Sequence, residues 1–210
     1  ALNDPSNGYY GSGKAELGPQ GDFVTSPSLS DDFSFFVGKQ IEEWLIQFKS
    51  NHLCDQKLFV IDFGAGDGSF MSGLIKYLLK SSNNSSEGVS FVIVEPNKGM
   101  IEKQKIKLKE FLSLGIDILW KGLEEIEGNK INGIFIANEV LDALPVERIT
   151  FSKGKLFRQA VSVDKRSCRL FLDELPITRE LEKSIELAKS KLGITIPPED
   201  APEGWTTEWH

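Results

Sequence analysis

Seven residues, Asp62-Phe63-Gly64-Ala65-Gly66-Asp67-Gly68, constrain this chain more than any others. They close an apolar, β-rich run from Leu58 to Phe63. They open onto Ser69 to Lys80, where Phe70, Leu74 and Leu78 recur at helical spacing. An apolar run of this kind, ending in glycines, reads as a buried parallel strand. Glycines at such a junction let the backbone turn sharply and approach a ligand closely. The helix behind them offers free N–H groups and the positive end of its dipole to the same place. On the glycines alone a structural turn is the competing reading. The strand before them and the helix after them favour a ligand loop.

The rest of the chain repeats the alternation. Ser90 to Glu95 and Gly133 to Ala137 are further buried strands, and Ile116 to Trp120 is a short one. A lysine-rich helix spans 97–112 and reads as a solvated face. Upstream, Ser30 caps a helix that carries Asp31 and Asp32 in its first turn, with Val37, Ile41, Trp44, Leu45 and Phe48 as its buried face. Residues 3–28 form an ordered loop containing Tyr9, Tyr10 and Phe23. Past Pro145 the pattern changes to alternating strands at 146–151, 156–164 and 168–172, an antiparallel meander. A helix capped by Thr178 follows, with Leu181, Ile185, Ala188 and Leu192 as its stripe and Gly193 at its left-handed end.

This order predicts an α/β fold: a three-layer, mainly parallel Rossmann-like sheet with an N-terminal loop and helix and an antiparallel insertion. We read residues 1–210 as a single incomplete domain: 1–52 loop and helix, 53–145 the ligand-binding core, 146–210 meander and helix. Both ends read as cut, and the remaining core strands are expected beyond His210.

Composition narrows the function. The net charge of −7 argues against a general nucleic-acid binder, which needs a basic surface. No apolar run approaches the roughly 20 residues of a membrane helix. Cys54 and Cys168 are the only cysteines and His52 and His210 the only histidines. They form no metal-binding spacing, no Ser-His-Asp triad and no disulfide framework, and they suit a reducing compartment.

Glu95 ends the second strand. In a doubly wound sheet it falls beside the glycine loop, where it can accept hydrogen bonds from both hydroxyls of a ribose. A solvated strand-end carboxylate is the alternative for Glu95 taken alone. The third glycine comes one residue too early for a nicotinamide fingerprint, and no G-x-x-x-x-G-K-[ST] is present. Asp62, inside the strand, suits a ligand with a cation nearby. S-adenosylmethionine (SAM) carries an ammonium and a sulfonium, so methyl transfer is favoured over hydride transfer. The candidate cofactor residues are Asp62, Gly64, Ala65, Gly66, Gly68, Glu95 and Asn138.

A second cluster, Asn138-Glu139-Val140-Leu141-Asp142-Ala143-Leu144-Pro145, lies just past the fourth strand. Ligands of open α/β sheets bind outside the carboxyl ends of the strands, so Asn138, Glu139 and Asp142 gather at that rim. Asn138 and Asp142 can also serve as turn or cap residues. A third segment, Gly18 to Pro27, reads alone as a turn-rich loop with Phe23 as a packing plug.

Together these segments resemble the MidA-like family of SAM-dependent methyltransferases, which includes a mitochondrial arginine methyltransferase that assists respiratory complex I assembly. The resemblance rests on Asp4-Pro5, Gly8-Tyr9-Tyr10, Gly21-Asp22-Phe23 with Thr25-Ser26-Pro27, and Gly38 with Trp44. It continues through the glycine loop, Glu95 with Asn97 and Gln104, Trp120, and Asn138 to Pro145. It covers most of residues 4–150. Ser28 stands where the family tends to have Glu, Ala65 where it has Pro, and Ile101 where Arg is common. The resemblance implies a class I methyltransferase core, SAM as cofactor with S-adenosylhomocysteine (SAH) as product, and a protein arginine substrate, with a respiratory-complex subunit as the candidate partner. It implies a cytoplasmic location for a bacterial chain and the mitochondrial matrix for a eukaryotic one.

A guanidinium is protonated in water and becomes a nucleophile only when carboxylates hold it and accept its proton. Glu139 and Asp142 are the candidates, with Asn138 as an orienting partner. A non-catalytic SAM-fold assembly factor is the alternative function, and a nucleotide-dependent oxidoreductase a further one.

Overall fold

The computed structural model describes residues 2–50, 57–126 and 131–210; Cys54 and His52 lie outside them. In chain order the helices are α1 (Ser26–Leu29), α2 (Asp31–Ser50), α3 (Ser69–Lys80), α4 (Lys98–Lys107), α5 (Lys109–Ser113) and α6 (Arg179–Leu192). The strands are β1 (Leu58–Phe63), β2 (Val89–Val94), β3 (Ile118–Lys121), β4 (Asn132–Ala137), β5 (Glu147–Ser152), β6 (Lys155–Val163), β7 (Leu170–Pro176) and β8 (Thr206–Trp209). They fall into two compact units, Ala1–Ala143 and Leu144–His210.

In the first unit four parallel strands run in the order β3-β2-β1-β4. β2 is buried along its whole length, as its unbroken apolar sequence requires. On one sheet face Val60, Phe91 and Ile93 pack with Ile41 and Leu45 of α2, Phe70, Leu74 and Leu78 of α3, and Phe111 of α5. On the other, Ile61, Val92 and Val94 form a smaller cluster with Leu119, Ile126 and Ile131.

Helix α2 begins at Asp31 with both aspartates in its first turn, where the dipole favours them. Its buried stripe is Ser34, Gly38, Ile41, Glu42 and Leu45. Trp44, expected on that stripe, is 42% exposed. The stripe turns toward Glu42 instead, because that carboxylate is fully supplied with donors. It accepts from the Tyr77 hydroxyl (2.8 Å), Asn83 Nδ2 (3.2 Å), Ser85 Oγ (3.2 Å) and Ser81 Oγ. Helices α2 and α3 approach closely at Gly38, where a Cβ would stand 2.8 Å from the Tyr77 ring.

The loop before α2 contains the unexpected helix α1. The Ser28 hydroxyl donates to the Thr25 carbonyl (2.7 Å) and accepts from the Thr25 N–H (3.0 Å), closing that turn. Phe23 is half exposed rather than a buried plug and packs edge-on against Tyr9. The lysine-rich segment is two helices that meet at Leu108, itself fully buried.

The second unit is an antiparallel sheet ordered β7-β6-β5-β8. Ile149, Leu181 and Ile185 form its buried core, with Leu156, Ile177, Ile196 and Trp209 packed around them. Thr178 caps α6 by accepting the Leu181 N–H (3.2 Å), and Gly193 ends it at φ +70°. Leu192, expected on the stripe, is 71% exposed, because the last turn runs past the residues that form this core.

Candidate functional site

The strand order places the site. From β1 the chain moves outward to β2 and β3, then returns to the other side of β1 for β4. The direction of the chain therefore reverses between β1 and β4, and ligands of open α/β sheets bind at such a switch point, outside the carboxyl ends of the strands. Gly64 to Gly68 follows β1, and the run that starts at Asn138 follows β4.

Gly64, Gly66 and Gly68 all have positive φ: +64°, +55° and +87°. The turn could not be made by side-chain-bearing residues without strain. At Gly64 there is a second reason: a Cβ would collide with the Val140 side chain. The two loops are thus in contact, and the absence of one side chain permits it. Ala65 is half-buried and packs against the main core. Asp67 accepts the Ser69 N–H (2.9 Å) at the start of α3 and pairs with Lys107 (2.9 Å).

Asp62 points from β1 into this region and is 2% exposed. Its Oδ2 is buried without a hydrogen-bond partner among the described residues. Burial first, and the nearby Glu95 charge second, push its carboxyl up to about 7. Glu95, just past β2, is 7% exposed. Its Oε1 accepts the Asn97 N–H (2.9 Å) and its Oε2 accepts from Gln104 Nε2 (3.2 Å). Burial raises its pKa, and those hydrogen bonds oppose the rise. Two buried carboxyl groups that interact, one with an unused oxygen, are costly without a ligand. A ligand carrying a cation and a vicinal diol would suit both, since an ionised carboxylate offers about four acceptor sites.

On the β4 side Asn138 is half-buried, while Glu139 and Asp142 are exposed. Glu139 adopts φ +50°, a left-handed conformation that costs a side-chain-bearing residue on the order of 1–3 kcal/mol and clusters at functional sites. Its carboxylate makes no hydrogen bond or ion pair to a described residue. Asp142 lies in the short 3-10 turn Leu141–Ala143. Its charge reaches Tyr10, whose pKa is raised by burial and, secondarily, by Asp142. The N-terminal loop therefore borders the same rim. It is tied to β2's end as well: Asn97 Nδ2 donates to Asn3 Oδ1 (3.1 Å).

Periodicity alone gives neither Gln104 nor Trp120 a part in the site; the sequence reading singles out Gln104 only through the resemblance, and Trp120 otherwise only as the end of a strand. Gln104 is fully buried. It lies in the stripe Met100, Gln104, Leu108, Phe111, all buried. A polar residue inside an apolar helical stripe is the signal that marks it.

This geometry agrees with what the sequence matches. The family described as "Putative S-adenosyl-L-methionine-dependent methyltransferase" matches residues 36–210. The chain belongs to this family. A Burkholderia thailandensis superfamily member crystallised with bound S-adenosyl-homocysteine superposes with a TM-score of 0.67 at 25% identity, covering 100% of this chain and 49% of that one. The native crystal structure of a B. thailandensis superfamily protein superposes with a TM-score of 0.63. The mitochondrial protein arginine methyltransferase NDUFAF7 of Homo sapiens is 28% identical over 167 residues, 70% of this chain and 36% of its own length. The Caenorhabditis elegans homologue is 28% identical over 166 residues, again 70% of this chain and 37% of its own. The chain thus spans less than half the length of the relatives it matches. The family is SAM-dependent by description, and the α/β fold with a parallel sheet is the one its structural neighbours share.

Proposed function

We propose that the protein is a SAM-dependent methyltransferase acting on an arginine side chain of a partner protein, as the NDUFAF7 relatives are named to do. The observation that carries the reading is the meeting of the loops after β1 and β4 at the carboxyl end of the sheet. The left-handed glycine loop and buried Glu95 face, across contact with Val140, an acidic run held in a strained conformation at Glu139.

Bound SAM would supply an already activated methyl group, leaving alignment and electrostatics to the protein. The residues fit that ligand. Glu95 would accept from the ribose hydroxyls, and Gly64, Ala65, Gly66 and Gly68 would let the backbone approach closely. Asp62 Oδ2, which lacks a partner among the described residues, would take the ammonium, and Asn138 would border both the cofactor and the substrate. Glu139 and Asp142 would hold the guanidinium, localise its charge on one end and accept the proton it loses. The compartment follows the source of the chain: matrix for a mitochondrial protein, cytoplasm for a bacterial one.

The test is transfer of radiolabelled methyl from SAM into protein arginine by the full-length protein. Glu139→Gln keeps shape but removes charge. It is expected to slow transfer by roughly a hundredfold, about 3 kcal/mol of barrier, with SAM affinity little changed. Transfer at the wild-type rate makes Glu139 structural and removes it from catalysis.

A further inference from the structure

Gln104 touches three parts of the first unit at once. Its Nε2 donates to the Gly66 carbonyl (2.8 Å) in the glycine loop and to Glu95 Oε2 (3.2 Å) at the end of β2. Its Oε1 accepts from Trp120 Nε1 (2.9 Å) on β3. The Gln104 side chain is fully buried, so its own amide cannot turn to water instead, whereas Gly66 and Trp120 are half-buried. The loop backbone also lies directly against it: a Cβ on Gly68 would sit 3.5 Å from Gln104 Cα and Cγ.

A glutamine amide has two ends that could exchange. Here they cannot, because an indole N–H only donates. Trp120 must meet the amide oxygen, which forces the NH2 group toward the two acceptors, Gly66 O and Glu95. The order of the contacts therefore runs one way: the β3 indole sets the amide, and the amide sets the loop carbonyl and the carboxylate together. Both of those groups lie where the cofactor is assigned.

We infer that Gln104 is a positioning residue for the cofactor, locked by Trp120, that holds the glycine loop and the Glu95 carboxylate in one fixed relation. The inference rests on the reading of the carboxyl end of this sheet as the SAM site. It explains why a polar side chain occupies the buried stripe Met100, Gln104, Leu108 and Phe111 that runs from α4 into α5. A packing role would be filled by Met, which matches Gln in length and removes the burden of satisfying a buried amide. It also predicts non-additivity, since Gln104 and Trp120 act through one another.

The experiment compares wild type, Gln104→Met, Trp120→Phe and the double variant of the full-length protein, measuring melting temperature without ligand and SAH affinity by calorimetry. Gln104→Met is expected to keep the melting temperature within a few degrees and to weaken SAH binding about tenfold or more. Trp120→Phe should weaken it less, and the double variant should bind no worse than Gln104→Met. A second substitution, Gln104→Glu, opposes an acceptor to both Gly66 O and Glu95 and should weaken SAH more than Met does. If Gln104→Met binds SAH as wild type does, or if the two single losses simply add, the positioning role is overturned. If affinity and melting temperature fall together in Gln104→Met, and Gln104→Glu binds no worse than Met, Gln104 is structural and the inference is again overturned. A wild-type protein that does not bind SAH overturns the cofactor reading itself and this inference with it.

Discussion

Replacing Asp62 by asparagine should make the ligand-free protein more stable and a poorer binder. Asp62 is 2% exposed, and its Oδ2 has no partner among the described residues. Its carboxyl stands at about 7, against an ordinary 3.8. About three pH units correspond to ~4 kcal/mol of folding free energy lost once the group ionises. The sign follows from linkage. Between about pH 4 and 7 the folded state holds a proton that the unfolded state has released, so stability falls as pH rises through that window. The Asp62→Asn variant has no such window, although burying its amide without full pairing costs roughly 1–3 kcal/mol. The net gain at pH 8 is then on the order of 1–3 kcal/mol. Urea unfolding of both proteins from pH 4.5 to 8.5 measures it. The stability of Asp62→Asn minus that of wild type should grow from near pH 4 to near pH 7 and be flat above. SAH affinity of Asp62→Asn should fall at least tenfold, because the ammonium loses its counter-charge. A difference curve that is flat with pH, or one in which the advantage of Asp62→Asn shrinks between pH 5 and pH 8, would refute the buried-carboxyl argument.

Glu42→Ala strips the acceptor from four donors on α3 and the 81–85 segment and should cost on the order of 3 kcal/mol, read as a lowered denaturation midpoint. Burial raises the Glu42 pKa, but the hydrogen bonds from Ser81, Tyr77, Asn83 and Ser85 outweigh it and hold the group below its ordinary value. Its contribution is therefore present above the ordinary glutamate range and lost as pH falls below it, so wild type and Glu42→Ala should converge in acid. Gly64→Ala combines a positive φ with a collision at Val140. It should lower SAH affinity at least tenfold and destabilise the protein by about 1–3 kcal/mol, and Val140→Ala in the same chain should recover part of both.

How far the sequence reveals the fold depends on which force sets each element. The boundaries of β1 and α3 match the sequence reading to the residue, because an apolar run, three glycines and a helical stripe change character abruptly there. Trp44 and Leu192 are misplaced by the same periodicity. It counts apolar residues and is blind to a buried carboxylate as well supplied as Glu42, and to where a helix outruns the residues it packs on. Helix α1 is too short to have a period; its turn is closed by a serine hydroxyl. At the site, the glycine loop and Glu95 are legible because chemistry and position coincide at strand ends. The unpartnered oxygen of Asp62, the left-handed backbone of Glu139 and the three-way bond of Gln104 are not, since each depends on contacts between distant segments of the chain or on a dihedral angle.

The proposed function stands or falls with SAM binding across the carboxyl ends of β2, β1 and β4, held there through Glu95. Calorimetric titration of SAM, with NAD as the control ligand, into the full-length protein and its Glu95→Ala variant tests it most directly. One SAM site per chain, no heat from NAD, and an affinity loss of about tenfold to a hundredfold in Glu95→Ala, the scale of hydrogen bonds to a charged group, are expected. Tight NAD binding, no SAM binding, or equal SAM affinity in wild type and Glu95→Ala would contradict it.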